Sequence, residues 1–125
     1  MVLVIDDSSD IPIYQQLRNQ IVIGISDGRL KPGEQLPTVR ALAEEIGVNA
    51  MTVNKAYQLL KQEGYIVTER RNGARVSREF GGDGQLSPEA AETLRRIISE
   101  AKLAGMTQEE FAALCRSHFE WREGE

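Results

Sequence analysis

The sequence predicts a mainly α-helical fold with a small β-hairpin wing, arranged in two modules. Five segments carry apolar residues at helical spacing. Between the third and the fourth of them lies a stretch rich in aromatic and β-branched residues around an Asn-Gly pair, which predicts a hairpin. Three glycines within residues 80–85 then mark a flexible boundary. We therefore place one module at residues 1–80 and a second at residues 81–125.

The first predicted helix follows Pro12, a residue that suits a first helical turn, and ends near Gly28. Residues 30–37 come next and contain two prolines and a glycine, so they predict an ordered connector. This helix is predicted from apolar residues at strict i,i+4 spacing, namely Ile13, Leu17, Ile21 and Ile25.

The second and third predicted helices lie on either side of a tight turn. The second covers residues 39–46 after the N-cap candidate Thr38, and Gly47 can take the left-handed position at its end. The third covers residues 50–63 and is capped by Asn49. Their apolar faces are Val39, Leu42, Ala43 and Ile46 in the second helix, and Val53, Ala56, Tyr57 and Leu60 in the third.

The predicted hairpin follows the third helix. Residues 65–69 and 74–77 are the two strands, and Asn72-Gly73 is a strong signal for the turn between them. A short helix, a tight turn, a second helix and a hairpin occur in this order in a winged helix-turn-helix. The first module is therefore predicted to have that fold.

The second module is predicted to hold two helices. Ser87-Pro88-Glu89 begins one of them, and Thr107 to Glu110 forms a capping box for the other, with Met106 and Phe111 at the spacing of a hydrophobic staple. Two amphipathic helices this short barely cover their own apolar faces. We therefore expect a homodimerisation region whose contacts are Leu94, Ile97, Ile98, Ala101, Phe111, Leu114 and Phe119.

Charge is distributed unevenly along the chain. The formal net charge is −4, which by itself argues against binding to phosphates. Residues 38–80, however, carry seven basic and five acidic residues, and this is the only third of the chain with a positive balance. A basic module joined to an acidic one suits a protein that contacts DNA with one part and a protein partner with the other.

Several classes of protein are disfavoured by composition. The longest apolar run is too short to cross a bilayer, and the first residues do not look like a secretion signal, so we expect a cytoplasmic protein without a membrane partner. The single Cys115 cannot form an internal disulfide and is expected to be a small buried side chain. We expect no cofactor and no metal.

The candidate base contacts lie in the third helix, because the second helix of a helix-turn-helix enters the major groove with its N-terminal residues. Asn49 and Asn54 offer the donor and acceptor pair that matches adenine. Thr52 can bond to a base or a phosphate, and Lys55 can contact a phosphate or guanine. Asn49 also has a structural interpretation as an N-cap alone.

The candidate backbone contacts lie outside the third helix. Arg40 follows Thr38 in the first turn of the second helix, where amide groups and the helix dipole favour a phosphate. A surface ion pair between Arg40 and Glu44 is the structural alternative. In the wing, Arg70 and Arg71 supply charge, and Gly73 allows a close approach of the main chain or is simply a turn glycine. Thr38, Arg40, Arg70, Arg71 and Gly73 complete the predicted DNA contacts.

The ordered motifs of the first module resemble the GntR family of bacterial regulators. They are Pro12-Ile13-Tyr14, then residues 36–43 (LPTVRALA), 52–57 (TVNKAY) and 63–66 (EGYI). The short second module is similar to that of the YtrA subfamily. The resemblance implies a homodimeric regulator that binds a near-palindromic operator, with Arg40, Asn49, Thr52, Asn54 and residues 70–73 in contact with DNA.

The chain departs from the family pattern in two places. Ala50-Met51 stands where other members often have Pro-Asn or Arg-Thr, and the end of the wing, residues 71–76, differs from the usual sequence. The resemblance suggests repression, but the sequence names no operator, no target gene and no small-molecule effector.

Two other functions are alternatives to DNA binding, an enzyme and a protein-binding adaptor. Cys115 and His118 lie at i,i+3 on one predicted helix face, as a nucleophile and base could, but no acid stands at a suitable spacing and two ligands do not make a metal site. The other rival is a winged-helix adaptor that binds protein without operator recognition. Steep salt dependence of DNA binding distinguishes a regulator from such an adaptor.

Overall fold

The computed structural model describes residues 1–71 and 73–120 and confirms the mainly helical fold with a hairpin wing. Two compact units are present, Met1–Phe80 and Gly81–Glu125. None of the described helices is long and apolar enough to cross a membrane. The elements are α1 (Ile13–Ser26), α2 (Val39–Ile46), α3 (Ala50–Gln62), β1 (Ile66–Glu69), β2 (Gly73–Val76), α4 (Pro88–Leu103) and α5 (Gln108–Glu120).

Helix α1 packs on the core through the stripe predicted for it. Leu17 and Ile21 are fully buried, and Ile13 and Ile25 pack against the core while partly exposed. Pro12 has extended backbone (φ −55°, ψ 147°) and is the N-cap, so α1 begins directly after Pro12, as predicted.

A buried glutamine on α1 holds the N-terminal segment, which the sequence did not predict. The Gln16 side-chain oxygen accepts from the backbone N–H of Asp6 at 2.9 Å, and its amide nitrogen donates to the carbonyl oxygens of Asp6 and Ile11. Gln20 makes the corresponding pair of hydrogen bonds with the backbone of Val4. These two side-chain amides satisfy backbone hydrogen-bonding groups of Val4, Asp6 and Ile11.

The turn between α2 and α3 is defined by two side-chain caps and a glycine. The hydroxyl of Thr38 accepts from the N–H of Ala41 at 3.0 Å, and the amide oxygen of Asn49 accepts from the N–H of Met51 at 2.7 Å. Gly47 is left-handed with φ +73°. Both caps and the left-handed glycine confirm the sequence predictions for these helix ends. The buried face of α3 is also as predicted: Val53, Ala56, Tyr57 and Leu60.

The wing is joined to the connector before α2. Strands β1 and β2 are antiparallel, with Ile66 opposite Val76 and Glu69 opposite Gly73. On the other side of β2, the N–H of Gly33 donates to the oxygen of Val76 and the N–H of Leu36 to that of Ala74, both at 2.9 Å. The connector therefore acts as a short third strand, a tertiary pairing that local patterns did not predict.

The second unit has the helix ends that the sequence predicted. Ser87 caps α4 by accepting from the N–H of Ala90, and the capping box of α5 is reciprocal, with Thr107 and Glu110 each accepting from the backbone N–H of the other. These hydrogen bonds lower the pKa of Glu110. No described residue of α4 or α5 is fully buried within the single chain. Cys115 is exposed, so the prediction of a buried thiol is wrong.

The hydroxyl of Tyr57 supports a testable stability prediction. It donates to the carbonyl oxygen of Pro37 at 2.8 Å, and burial raises the pKa of Tyr57. Tyr57→Phe leaves that carbonyl without its partner, so we expect the free energy of unfolding to fall by about 1 kcal/mol. Urea unfolding at fixed protein concentration measures the change. Tyr65→Phe is the matched control, and an equal loss in both variants would contradict the role given to this hydrogen bond.

Gly47 supports a second stability prediction. Because its φ is +73°, a side chain at this position is strained although no atom blocks the space. We expect Gly47→Ala to lower the free energy of unfolding by about 1 kcal/mol and Gly47→Asn to lower it less, since asparagine tolerates this conformation better. Thermal unfolding compares them with Gly81→Ala, where φ is not positive. Equal stability of the two alanine variants would refute the argument.

Candidate nucleic-acid interface

The side of α3 opposite the core is open to solvent. At 3.6 residues per turn, Met51, Lys55 and Gln58 lie on the side of the helix away from the buried face, and Asn54 lies beside them. All four side chains are exposed. A helix with one buried side and one polar, unobstructed side can enter a groove of duplex DNA without unfolding any packing.

Two of the predicted contacts also hold the ends of helices. The oxygens of Thr38 and Asn49 accept the cap hydrogen bonds of α2 and α3, and both side chains are exposed. The amide nitrogen of Asn49 remains a donor. Thr52 lies in the first turn of α3 and is half-buried. The capping role of Asn49 and an outward donor are therefore compatible.

Lys55 is held by an aromatic ring from a distant part of the sequence. The ammonium nitrogen lies 4.1 Å from the centre of the Tyr14 ring, a cation–π geometry. Tyr14 is the second residue of α1 and half-buried. The contact directs the charge of Lys55 toward the start of α1. Only the tertiary fold brings these two residues together, so no local signal could have identified the pair.

The arginines of the first unit fall into two groups. Arg18 pairs with Glu63 at 2.8 Å, Arg29 with Asp27 at 3.0 Å, and Arg75 with Glu69 at 3.2 Å. The hydrogen bond and charge of Glu63 raise the pKa of Arg18. Within the described part of the chain, the exposed residues Arg40, Arg70, Arg71 and Arg78 form no ion pair, and Arg40, Arg70 and Arg71 are the three that were predicted to contact DNA. These three guanidinium groups are left to contact an external anion.

Arg40 was predicted either to contact a phosphate or to form a surface ion pair. Its structural alternative was a pair with Glu44 one turn along α2. Among residues 1–71 and 73–120, that ion pair is not formed, and Arg40 is exposed in the first turn of the helix. The positive end of the α2 dipole adds to its charge at the same place.

The wing presents charge at its tip and is fixed at its base. Arg70 and Arg71 are exposed beyond the end of β1, while the guanidinium of Arg75 also donates to the carbonyl oxygen of Gly33 at 3.1 Å. Gly73 has φ +70° with open space around it, as the predicted turn requires. Asn72, the other turn residue named from the sequence, lies outside the described residues. Arg75, the third arginine of the hairpin, has a structural role.

The second unit shows the predicted apolar stripes without a partner. Ala101 and Phe111 are half-buried, and their neighbours are exposed by 38% to 87%: Leu94, Ile97, Ile98, Leu114 and Phe119. Cys115 and His118, weighed as a nucleophile and base, are also exposed on α5. In the part of the chain that the structure describes, no group of three or more histidine, cysteine or carboxylate side chains is placed to hold a metal.

Comparisons with known proteins agree on a family. The model for "Bacterial regulatory proteins, gntR family" matches residues 13–76. The HTH-type transcriptional repressor YtrA of Bacillus subtilis (strain 168) is 38% identical over 108 residues, which cover 84% of this chain and 82% of that protein. Residues 13–76 include α1, α2, α3 and both strands, the elements that form the candidate interface.

Two solved structures extend the comparison. A crystal structure titled transcriptional antiterminator from Listeria monocytogenes EGD-e superposes with a TM-score of 0.81 at 28% identity, covering 100% of this chain and 98% of that one. The DNA-binding domain of AraR, in complex with operator ORX1, superposes with a TM-score of 0.53 at 28% identity over 62% of this chain and 95% of that one. The chain belongs to the GntR family of bacterial regulatory proteins, with a YtrA-like organisation, and is a winged helix-turn-helix DNA-binding transcriptional regulator.

Proposed function

We propose that this protein is a cytoplasmic repressor that binds a near-palindromic operator as a homodimer. The observation that carries the proposal is the exposed polar side of α3, with the unpaired arginines of α2 and the wing in the same unit. The relative YtrA is named a repressor, and the AraR domain was solved on an operator, which supports the same activity here.

Base recognition is assigned to the first turns of α3. Asn54 is exposed and its side chain can donate and accept at once, which matches the major-groove edge of adenine. The remaining amide donor of Asn49 lies five residues before Asn54, and the hydroxyl of Thr52 lies two residues before it. These three side chains are short, so they hold their hydrogen-bonding groups close to the helix and distinguish bases only when α3 lies deep in the groove.

Backbone binding is assigned to the cationic side chains around α3. Arg40, Arg70 and Arg71 reach phosphates on the two sides of the groove, and the main chain at Gly73 approaches the neighbouring strand. Lys55 contacts a phosphate rather than guanine, because its ammonium group is held at the Tyr14 ring. The hydroxyl of Thr38 and the first amides of α2 complete this set.

Dimerisation is assigned to α4 and α5. An isolated copy leaves the stripes of both helices in water, and burying a side chain such as Ile97 or Ile98 stabilises by about 1.5–3 kcal/mol. A two-fold dimer pairs one stripe with its copy. The recognition helices then contact half-sites about one helical turn of DNA apart.

Paired alanine variants test the division between base and backbone contacts. We expect Asn54→Ala to weaken operator binding by about 1–3 kcal/mol per half-site and to leave binding to random duplex nearly unchanged, because only base contacts are lost. Arg40→Ala should weaken binding to both duplexes and reduce the slope of log K against log salt by about 1 for each subunit of the dimer. Fluorescence anisotropy titrations at several salt concentrations measure both effects.

The controls for these variants lie at the C-terminal end of α3. Gln62→Ala and Lys61→Ala remove an exposed amide and an exposed cation from the same helix and should bind as the unmodified protein does. Equal losses on operator and random duplex for Asn54→Ala would contradict its role in base recognition. Salt-insensitive DNA binding by the unmodified protein would instead favour the protein-binding adaptor.

Sedimentation equilibrium tests the dimer. We expect a stable dimer at micromolar concentration, converted to monomer by Ile98→Asp because a carboxylate cannot be buried in an apolar interface without a partner. Ser99→Asp is the matched control, since Ser99 lies on the other side of α4 and should leave the dimer intact. A monomer of the unmodified chain under these conditions would refute the assignment of α4 and α5.

A further inference from the structure

We propose that Met51 is a specificity-determining residue that contacts the C5-methyl group of a thymine in the operator. The inference rests on the proposed function, because it requires α3 to lie in the major groove. It concerns a position at which this chain differs from the usual family pattern. Its consequence is that part of the operator sequence is selected by an apolar contact rather than by a hydrogen bond.

Met51 is exposed where packing does not require an apolar residue. It lies in the first turn of α3 and its side chain is 78% exposed, whereas Val53, Ala56 and Leu60 on the same helix are fully buried. Helical geometry places Met51 almost directly opposite this buried face. The side chain therefore extends from the part of α3 that comes closest to base edges in a helix-turn-helix.

The chemistry of the thioether limits what Met51 can recognise. The side chain has no hydrogen-bond donor, and its sulfur is only a weak acceptor, so it cannot match the polar pattern of guanine, cytosine or adenine. The C5-methyl group of thymine is the one apolar group that an ordinary base pair presents in the major groove. A flexible, polarisable side chain adapts to that methyl group without demanding an accurate distance.

The neighbours of Met51 leave this contact unobstructed. Asn49 accepts from the backbone N–H of Met51 at 2.7 Å, which fixes the main chain at the start of α3. Lys55, one turn further, has its ammonium group at the Tyr14 ring, 4.1 Å from the ring centre. Met51 and Asn54 are i,i+3 neighbours on α3 and both are exposed. An apolar contact to thymine and a polar contact to adenine can then form side by side.

Replacement of thymine by deoxyuridine provides the test, because it removes only the methyl group and keeps base pairing. The operator is first selected from random duplexes with the full chain, and each thymine of one half-site is then replaced singly. We expect one position at which deoxyuridine weakens binding about fourfold, the effect of removing one buried methyl group. Met51→Ala removes the contact from both half-sites of the proposed dimer, so it should bind the thymine operator about sixteenfold more weakly and show no further loss with deoxyuridine at that position.

The design separates the contact from general effects. Ile23→Ala is the matched control, since it shortens another exposed apolar side chain on α1 and should keep both the affinity and the sensitivity to deoxyuridine. If an operator is selected but no thymine is sensitive, or if Met51→Ala keeps the same sensitivity, the Met51 proposal fails alone. If Met51→Ala binds every duplex as the unmodified protein does, Met51 does not contact the operator and the proposal fails. If no sequence is selected at all, the proposed function fails with it.

Discussion

Burial of one side of α3 is the constraint on which the rest of the first unit depends. Val53, Ala56, Tyr57 and Leu60 pack against α1 and α2, and this packing determines which residues of α3 point to solvent. The same rotation that hides Leu60 exposes Asn54 and Met51. A recognition helix with its core face shifted by one residue would present a different set of side chains to DNA.

The surroundings of α3 divide cationic residues by function. Arg18 and Arg75 are used within the fold, one binding α1 to the end of α3 and the other joining the wing to the connector. Such partly exposed pairs contribute little stability each, but they orient the elements they join. Arg40, Arg70 and Arg71 have no such duty in the described structure, so their charge is available to a phosphate backbone. A net charge of −4 is therefore no obstacle to DNA binding.

The second unit differs from the first in how its helices are stabilised. Its helices begin at well-formed caps, yet caps contribute only about 1 kcal/mol each and do not bury apolar surface. The apolar stripes of α4 and α5 therefore do not form a buried core within one chain. Cys115 is exposed in the single chain, although its residue type suggested burial.

The sequence alone determined several local features of this protein, because those features depend on residues that are close together in the chain. The caps at Thr38 and Asn49, the bounds of α2 and the buried face of α3 were all predicted, because helix periodicity and capping depend on neighbours in the chain. Tertiary structure alone decided the pairing of the connector with β2, the Lys55–Tyr14 contact and the internal use of Arg75. These contacts join residues more than thirty positions apart, and no local pattern specifies which distant groups the packed core will bring together.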